Sequence, residues 1–161
     1  MQTLMIRRAQ ESDIPAINSL LYQVHEIHHI ARPDLFRDGT KKYTDDELKI
    51  ILQDDTKPIF VAEQNGAVVG YAFCIHQQYV NDNNLTDIKT LYIDDLCVDK
   101  NARNMHIGTE LYNYVLKYAE ENGYYNVTLN VWADNINAVK FYEHLGLSKQ
   151  KIGMEKIILR K

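Results

Sequence analysis

The residues with the clearest chemical potential are two adjacent carboxylates, Asp94 and Asp95, set in an apolar run from Leu91 to Val98. Carboxylates in such a setting can take a proton or hold a cation. A short polar loop follows, and Arg103 and Gly108 then open a long amphipathic stretch. A strand that delivers its chain to a helix N-terminus commonly binds anions: loop N–H groups and the first helical turn converge there, and the helix dipole favours negative charge. A second constellation, Asn135-Ile-Asn-Ala138-Val-Lys-Phe141-Tyr142-Glu-His-Leu-Gly146, places a phenol on a short helix. A third, His25-Glu26-Ile27-His28-His29, matches His-Glu-x-x-His, in which two imidazoles four residues apart share a zinc and the Glu serves as base. That helix ends almost at once at Arg32-Pro33 and no third ligand stands out downstream, so no metal is expected.

The elements that position these groups follow from periodicity. Met1 to Arg8 alternates as a strand, and Ser12 is placed to cap a helix with Pro15 in its first turn and Ile14, Ile17, Leu20, Leu21, Val24 and Ile27 at helical spacing. Thr44-Asp-Asp-Glu47 is a capping-box pattern for a second helix ending near Leu52. Asn65-Gly66, between Ile59–Glu63 and Val68–His76, predicts a hairpin with a type I′ turn. Leu91–Val98 is the next strand. The helix after it buries Ile107, Leu111, Val115, Tyr118 and Ala119 and stops at Asn122-Gly123. Tyr125–Trp132 reads as a strand, Asn135 as the cap of a helix through Leu145, and Leu147–Gln150 with Met154–Leu159 as a closing hairpin. The order implies one α/β (α+β) domain over residues 1–161 with a mixed, mostly antiparallel sheet flanked by helices.

On this strand, Asp94 lies two positions before Leu96 and is expected to share its face, with Asp95 pointing the other way unless a bulge intervenes. The 161 residues suffice for a proper core, and 45% hydrophobic with 25% charged residues is a globular balance. No apolar run approaches the ~20 residues of a membrane span, and the start Met-Gln-Thr-Leu-Met-Ile-Arg-Arg lacks the pattern of a signal peptide. The net charge of −4 argues against general nucleic-acid binding. Cys74 and Cys97 lie in apolar strands and are expected as buried thiols, which points to a reducing, cytoplasmic setting.

Two of these segments together resemble the GCN5-related N-acetyltransferase (GNAT) family. Arg103-Asn-Met-His106-Ile-Gly108 is similar to its acetyl-CoA signature Gln/Arg-x-x-Gly-x-Gly/Ala, with His106 where the family usually has Gly. Asn135 to Leu147 resembles its later signature Asn-x-x-Ala-x-x-Phe-Tyr-x-x-x-Gly-Phe. The resemblance implies an acetyl-CoA-dependent N-acetyltransferase acting by direct attack in a ternary complex. It places the pyrophosphate on Arg103, Asn104, Met105, His106, Ile107, Gly108 and Thr109, and the pantetheine arm along Leu96, Cys97 and Val98, with Asn135 and Ala138 in the second signature.

It further implies Tyr142 as general acid toward the leaving sulfur and Asp94 as the candidate base, acting directly or through water. His28, His29, Asp34 and Phe36 are expected near the acceptor, as are Tyr79, Tyr92 and Asp95. The acceptor is a primary amine on a small molecule or a protein, and the two carboxylates suit a cationic one, polyamine-like or an amino sugar. If His106 is tolerated at a backbone position requiring positive φ, CoA binding stays intact; a non-catalytic CoA-binding module of the same fold is the alternative. A homodimer is expected to use the closing hairpin if one forms.

Overall fold

The computed structural model describes residues 3–102 and 106–159. The chain divides into two compact units, Met1–Leu129 and Asn130–Lys161. The first contains strands β1 (Leu4–Arg8), β2 (Ile59–Gln64), β3 (Ala67–Gln77), β4 (Thr90–Val98) and β5 (Asn126–Leu129), with helices α1 (Ile14–Ala31), α2 (Asp45–Leu52) and α3 (Ile107–Glu121). The strands form one sheet in sequence order; β1 to β4 are antiparallel, and β5 joins β4 in parallel. The expected mixed, mostly antiparallel sheet flanked by helices is what forms.

One face of the sheet presents Ile59, Val61, Tyr71, Phe73 and Cys97 to Ile14, Ile17, Leu20 and Leu21 of α1 and Leu48 of α2. This is the alternation of period two meeting the stripe of period 3.6. The other face receives α3 through Ile107, Leu111 and Val115, all fully buried, with Phe60 edge-on to Tyr114 and Tyr118 at 5.1 Å each. Gly70 permits the close approach of α3. A Cβ there would lie 3.0 Å from the Cys97 carbonyl oxygen and 3.0 Å from Leu111 Cδ1.

Local chemistry sets the element ends. Asn65 and Gly66 adopt φ of 52° and 84°, the conformation a type I′ hairpin demands. Thr44 and Glu47 form the reciprocal capping box of α2, at 3.1 and 3.0 Å. The cap of α1 differs from the expectation at Ser12: a 3₁₀ turn over Glu11–Asp13 precedes the helix, and Asp13 takes the N-cap position. Arg7 donates to both Asp13 carboxylate oxygens, at 2.8 and 2.9 Å, which holds the Asp13 carboxyl below its usual range. A forked, charge-assisted contact of this kind outcompetes a serine hydroxyl.

The second unit carries α4 (Ile136–His144), capped by the Asn135 side chain accepting from the Ala138 N–H at 3.2 Å. The closing hairpin does not form: residues 147–159 contain no strand. Two isolated strands are marginal in water without a sheet to extend, and Gly153 interrupts the alternation between them.

Replacing Gly70 by Ala is expected to destabilise the protein by ~1–3 kcal/mol, because one of the atoms met is immobile backbone. Urea unfolding checks this; an unchanged midpoint would show that both α3 and the Cys97 carbonyl of β4 can give way.

Candidate active site

The carboxylate pair sits at an irregularity in β4. Phe73 is opposite Asp95 and Cys74 is opposite Ile93, which makes Asp94 an extra residue in the ladder. A bulge breaks strict alternation, so neighbouring side chains reach the same side. Both carboxylates therefore contact groups on the α1/α2 side, while Leu96 pairs with Ala72 on the other face. The expectation that Asp94 shares the face of Leu96 is corrected by this extra residue.

Asp94 is closely held. Lys42 Nζ, from the loop before α2, donates to both its oxygens at 2.9 Å, and the Tyr43 hydroxyl donates to Oδ2 at 2.6 Å. The Asp94 side chain is only 12% exposed. Asp95 accepts from the fully buried Tyr71 hydroxyl at 2.6 Å. Burial pushes the Asp95 carboxyl up to about 6, a rise the Tyr71 bond and the Lys42 charge oppose and the Asp94 charge reinforces. Burial and the adjacent carboxylates raise both phenols above the usual tyrosine range. Phe73 fixes both: Tyr43 stacks on it at 5.4 Å and Tyr71 meets it edge-on at 4.8 Å.

A cavity of about 50 Å³ adjoins Asp94, lined also by Tyr43, Phe73 and Cys74. That volume admits ordered water and little more. A larger recess of about 310 Å³ lies between β1 and α3 and includes neither carboxylate.

The parallel β4–β5 ladder ends at Ile93 and Leu129, ahead of Leu96, Cys97 and Val98. Burial pushes the Cys74 thiol up to about 12, and neither Cys74 nor Cys97 forms a disulfide. At the start of α3, His106 occupies the N-cap with φ 58° and ψ 23°, in the left-handed region. This is the conformation for which glycine is the default and which His adopts more readily than most residues. Ile107 is buried at the first helical position, and Gly108 and Thr109 are half-buried in the first turn. Arg103, Asn104 and Met105 lie outside the described residues.

The His-Glu-x-x-His histidines tie α1 to the loop that follows. His25 Nε2 lies 2.6 Å from the Arg37 carbonyl and His29 Nδ1 lies 2.7 Å from the Phe36 carbonyl, so each ring donates there. His28 stacks on Phe36 at 5.0 Å, and burial, aided by His25 and Lys42, lowers its pKa. Asp34 pairs with Arg32 at 2.8 Å. Among the described residues no three His, Cys, Asp or Glu side chains are grouped to hold a metal ion. Tyr79 is 52% exposed beyond β3, and Tyr92 is on β4 opposite Ile75.

Tyr142 lies half-buried on α4 in the second unit, with its ring 5.1 Å from that of Phe141. Lys42, Tyr43 and Tyr71 are the site residues that sequence reasoning missed. Tyr71 reads as one more core residue of an apolar strand, and only Lys42-Tyr43, just before the capping box, offered a signal.

The model of the acetyltransferase (GNAT) family matches residues 22–147. An uncharacterised N-acetyltransferase of Bacillus subtilis, YhfO, is 30% identical over 141 residues, covering 88% of this chain and 87% of its own. Another, MJ1207 of Methanocaldococcus jannaschii, is 26% identical over 151 residues; the match covers 94% of this chain and spans 63% of that relative's length. The crystal structure of a point mutant of BH1408 protein from Bacillus halodurans superimposes with a TM-score of 0.91 at 28% identity, covering 96% of this chain and 99% of the other.

Two stability measurements follow from this geometry. A carboxyl raised in the folded state stabilises the fold while protonated, and that contribution is lost as pH climbs through about 6. Asp95→Asn is therefore expected to raise stability at pH ~8 by ~1–3 kcal/mol and to change little at pH ~4; an equal effect at both would exclude the raised carboxyl. His106→Gly is expected to gain roughly 0.5–1 kcal/mol by releasing the left-handed conformation, read as a higher melting temperature; a lower one would mean that the imidazole makes compensating contacts.

Proposed function

The chain belongs to the acetyltransferase (GNAT) family, whose members use acetyl-CoA as co-substrate, and on that premise we propose that this protein transfers the acetyl group to a primary amine by direct attack in a ternary complex. The observation that carries the reading is the carboxylate pair turned to one side of β4 just beyond the end of the β4–β5 ladder. The whole chain is taken as one acetyltransferase domain.

Backbone groups of Leu96, Cys97 and Val98 pair with the pantetheine arm, and one N–H there polarises the acetyl carbonyl as charge develops on its oxygen. The α3 N-terminus, through the Gly108 and Thr109 N–H groups with His106, Ile107 and the neighbouring Arg103, Asn104 and Met105, holds the pyrophosphate. His106 fits that role because its backbone already has the geometry a glycine would supply. The second signature assigns Asn135 and Ala138 to cofactor binding, and Asn135 also caps α4.

Asp95 is the better base of the two carboxylates. Asp94 is ion-paired to Lys42, whereas Asp95 is raised to about 6 and so titrates close to working pH. Asp95 accepts the proton from the ammonium, and the amine nitrogen forms a bond to the acetyl carbon. The carbon–sulfur bond breaks, and the departing sulfur takes the proton of the phenol that the second signature assigns to this role, Tyr142. The second proton shed by the nitrogen passes through water to restore that phenol. His28, His29 and Phe36, with Tyr79 and Tyr92, supply the acceptor surroundings.

Release of free CoA thiol in the presence of acetyl-CoA and a panel of amines tests this reading. Turnover is expected with at least one amine, falling as pH drops through about 6. Asp95→Asn is expected to lose ~10²-fold or more along with that acid limb, and Tyr142→Phe on the order of 10²-fold. Bound CoA with no amine-dependent release would overturn the assignment, and a full rate in Asp95→Asn would return the base to Asp94.

A further inference from the structure

We propose that the acceptor carries a single ammonium at the site, and that Lys42 sets this limit by holding the position a second ammonium of a diamine or polyamine would take. The inference rests on the acetyltransferase reading and narrows its substrate class.

Among the described residues the pair presents two carboxylates against one ammonium. Lys42 Nζ is 2.9 Å from each Asp94 oxygen, and the Tyr43 hydroxyl takes a third bond at 2.6 Å. A carboxylate offers about four lone-pair sites, so Asp94 is nearly filled and its charge is matched. Its side chain is 12% exposed, and the cavity beside it, about 50 Å³, is too small to admit an alkyl-ammonium arm. Asp95, bonded by Tyr71, is the carboxylate with no direct ion pair among the described residues, and it feels the Lys42 charge only at a distance. One incoming ammonium completes the pairing.

A second ammonium on the same acceptor would face Lys42 rather than a carboxylate. Like charges several ångströms apart in a partly buried site repel enough to change affinity roughly tenfold or more. Lys42 is well placed to act this way: its side chain is 46% exposed, so its ammonium reaches Asp94 from the solvent side. Tyr43 and Tyr71, both braced on Phe73, keep the two carboxylates from rearranging to share one cation.

The experiment compares aminobutanol with diaminobutane, which match in length and differ by one charge. In the natural protein, kcat/KM is expected to favour aminobutanol. In Lys42→Met the ratio is expected to move toward diaminobutane by roughly tenfold or more, and Lys42→Arg, which keeps the charge, is expected to retain the original ratio. A ratio unchanged in Lys42→Met overturns the proposal, as does a natural preference for the diamine. Binding separates its failure from failure of the acetyltransferase reading. Carboxyl resonances of Asp94 and Asp95, titrated with each amine without acetyl-CoA, are expected to show diaminobutane binding about tenfold tighter in Lys42→Met than in the natural protein. That gain without turnover would sink the enzymatic reading alone; its absence sinks the Lys42 assignment whether or not turnover is seen.

Discussion

An extra residue in β4, opposite the Phe73–Cys74 step, turns two successive carboxylates toward the same side of the sheet, and the rest of the candidate site is arranged around the cost of having them there. Two like charges in a half-buried setting are unfavourable unless each is neutralised or hydrogen-bonded. The protein answers asymmetrically. Asp94 receives a cation and a phenol, while Asp95 receives a phenol and is pushed up by burial to about 6. The same asymmetry separates a charge-matched carboxylate from one that burial raises.

The scaffold makes that asymmetry durable. Phe73, 3% exposed, packs in the core beneath α1 and carries Tyr43 on its face and Tyr71 against its edge. The capping box at Thr44 and Glu47 fixes the start of α2 and thereby the loop that delivers Lys42 and Tyr43. On the opposite face, Gly70 lets α3 settle onto β3, which brings the start of that helix to the strand that bears the carboxylates. At that start His106 takes a left-handed conformation, a locally costly choice for any residue with a side chain.

The His-Glu-x-x-His pattern shows how a chemically suggestive string can be explained by local packing. Its histidines donate to the carbonyls of Arg37 and Phe36 and stack on Phe36, fastening the loop after α1 to that helix. Backbone carbonyls in a tight loop need donors, and imidazoles at i and i+4 on the helix above are suitably spaced to supply them.

The family and the strands and helices up to α4 were legible in the sequence because they depend on short-range signals, whereas the closing hairpin, which needs a sheet to extend, was not. Helical and strand periods, the Asn65-Gly66 turn, the Thr44–Glu47 box and the Asn135 cap each involve residues only a few positions apart, and the motifs around Gly108 and Tyr142 are contiguous strings. The short spacing that makes these features readable also limits them. The β4 bulge depends on how two strands come into register, and the Lys42–Asp94 contact joins residues 52 positions apart. Tyr71 looks like any core aromatic until its hydroxyl meets Asp95, 24 residues on. Sequence pattern determined that two carboxylates would stand together on a strand beside a helix N-terminus. Tertiary structure alone decided which is charge-matched and which is raised above the usual carboxylate range, because burial and long-range pairing fix those energies.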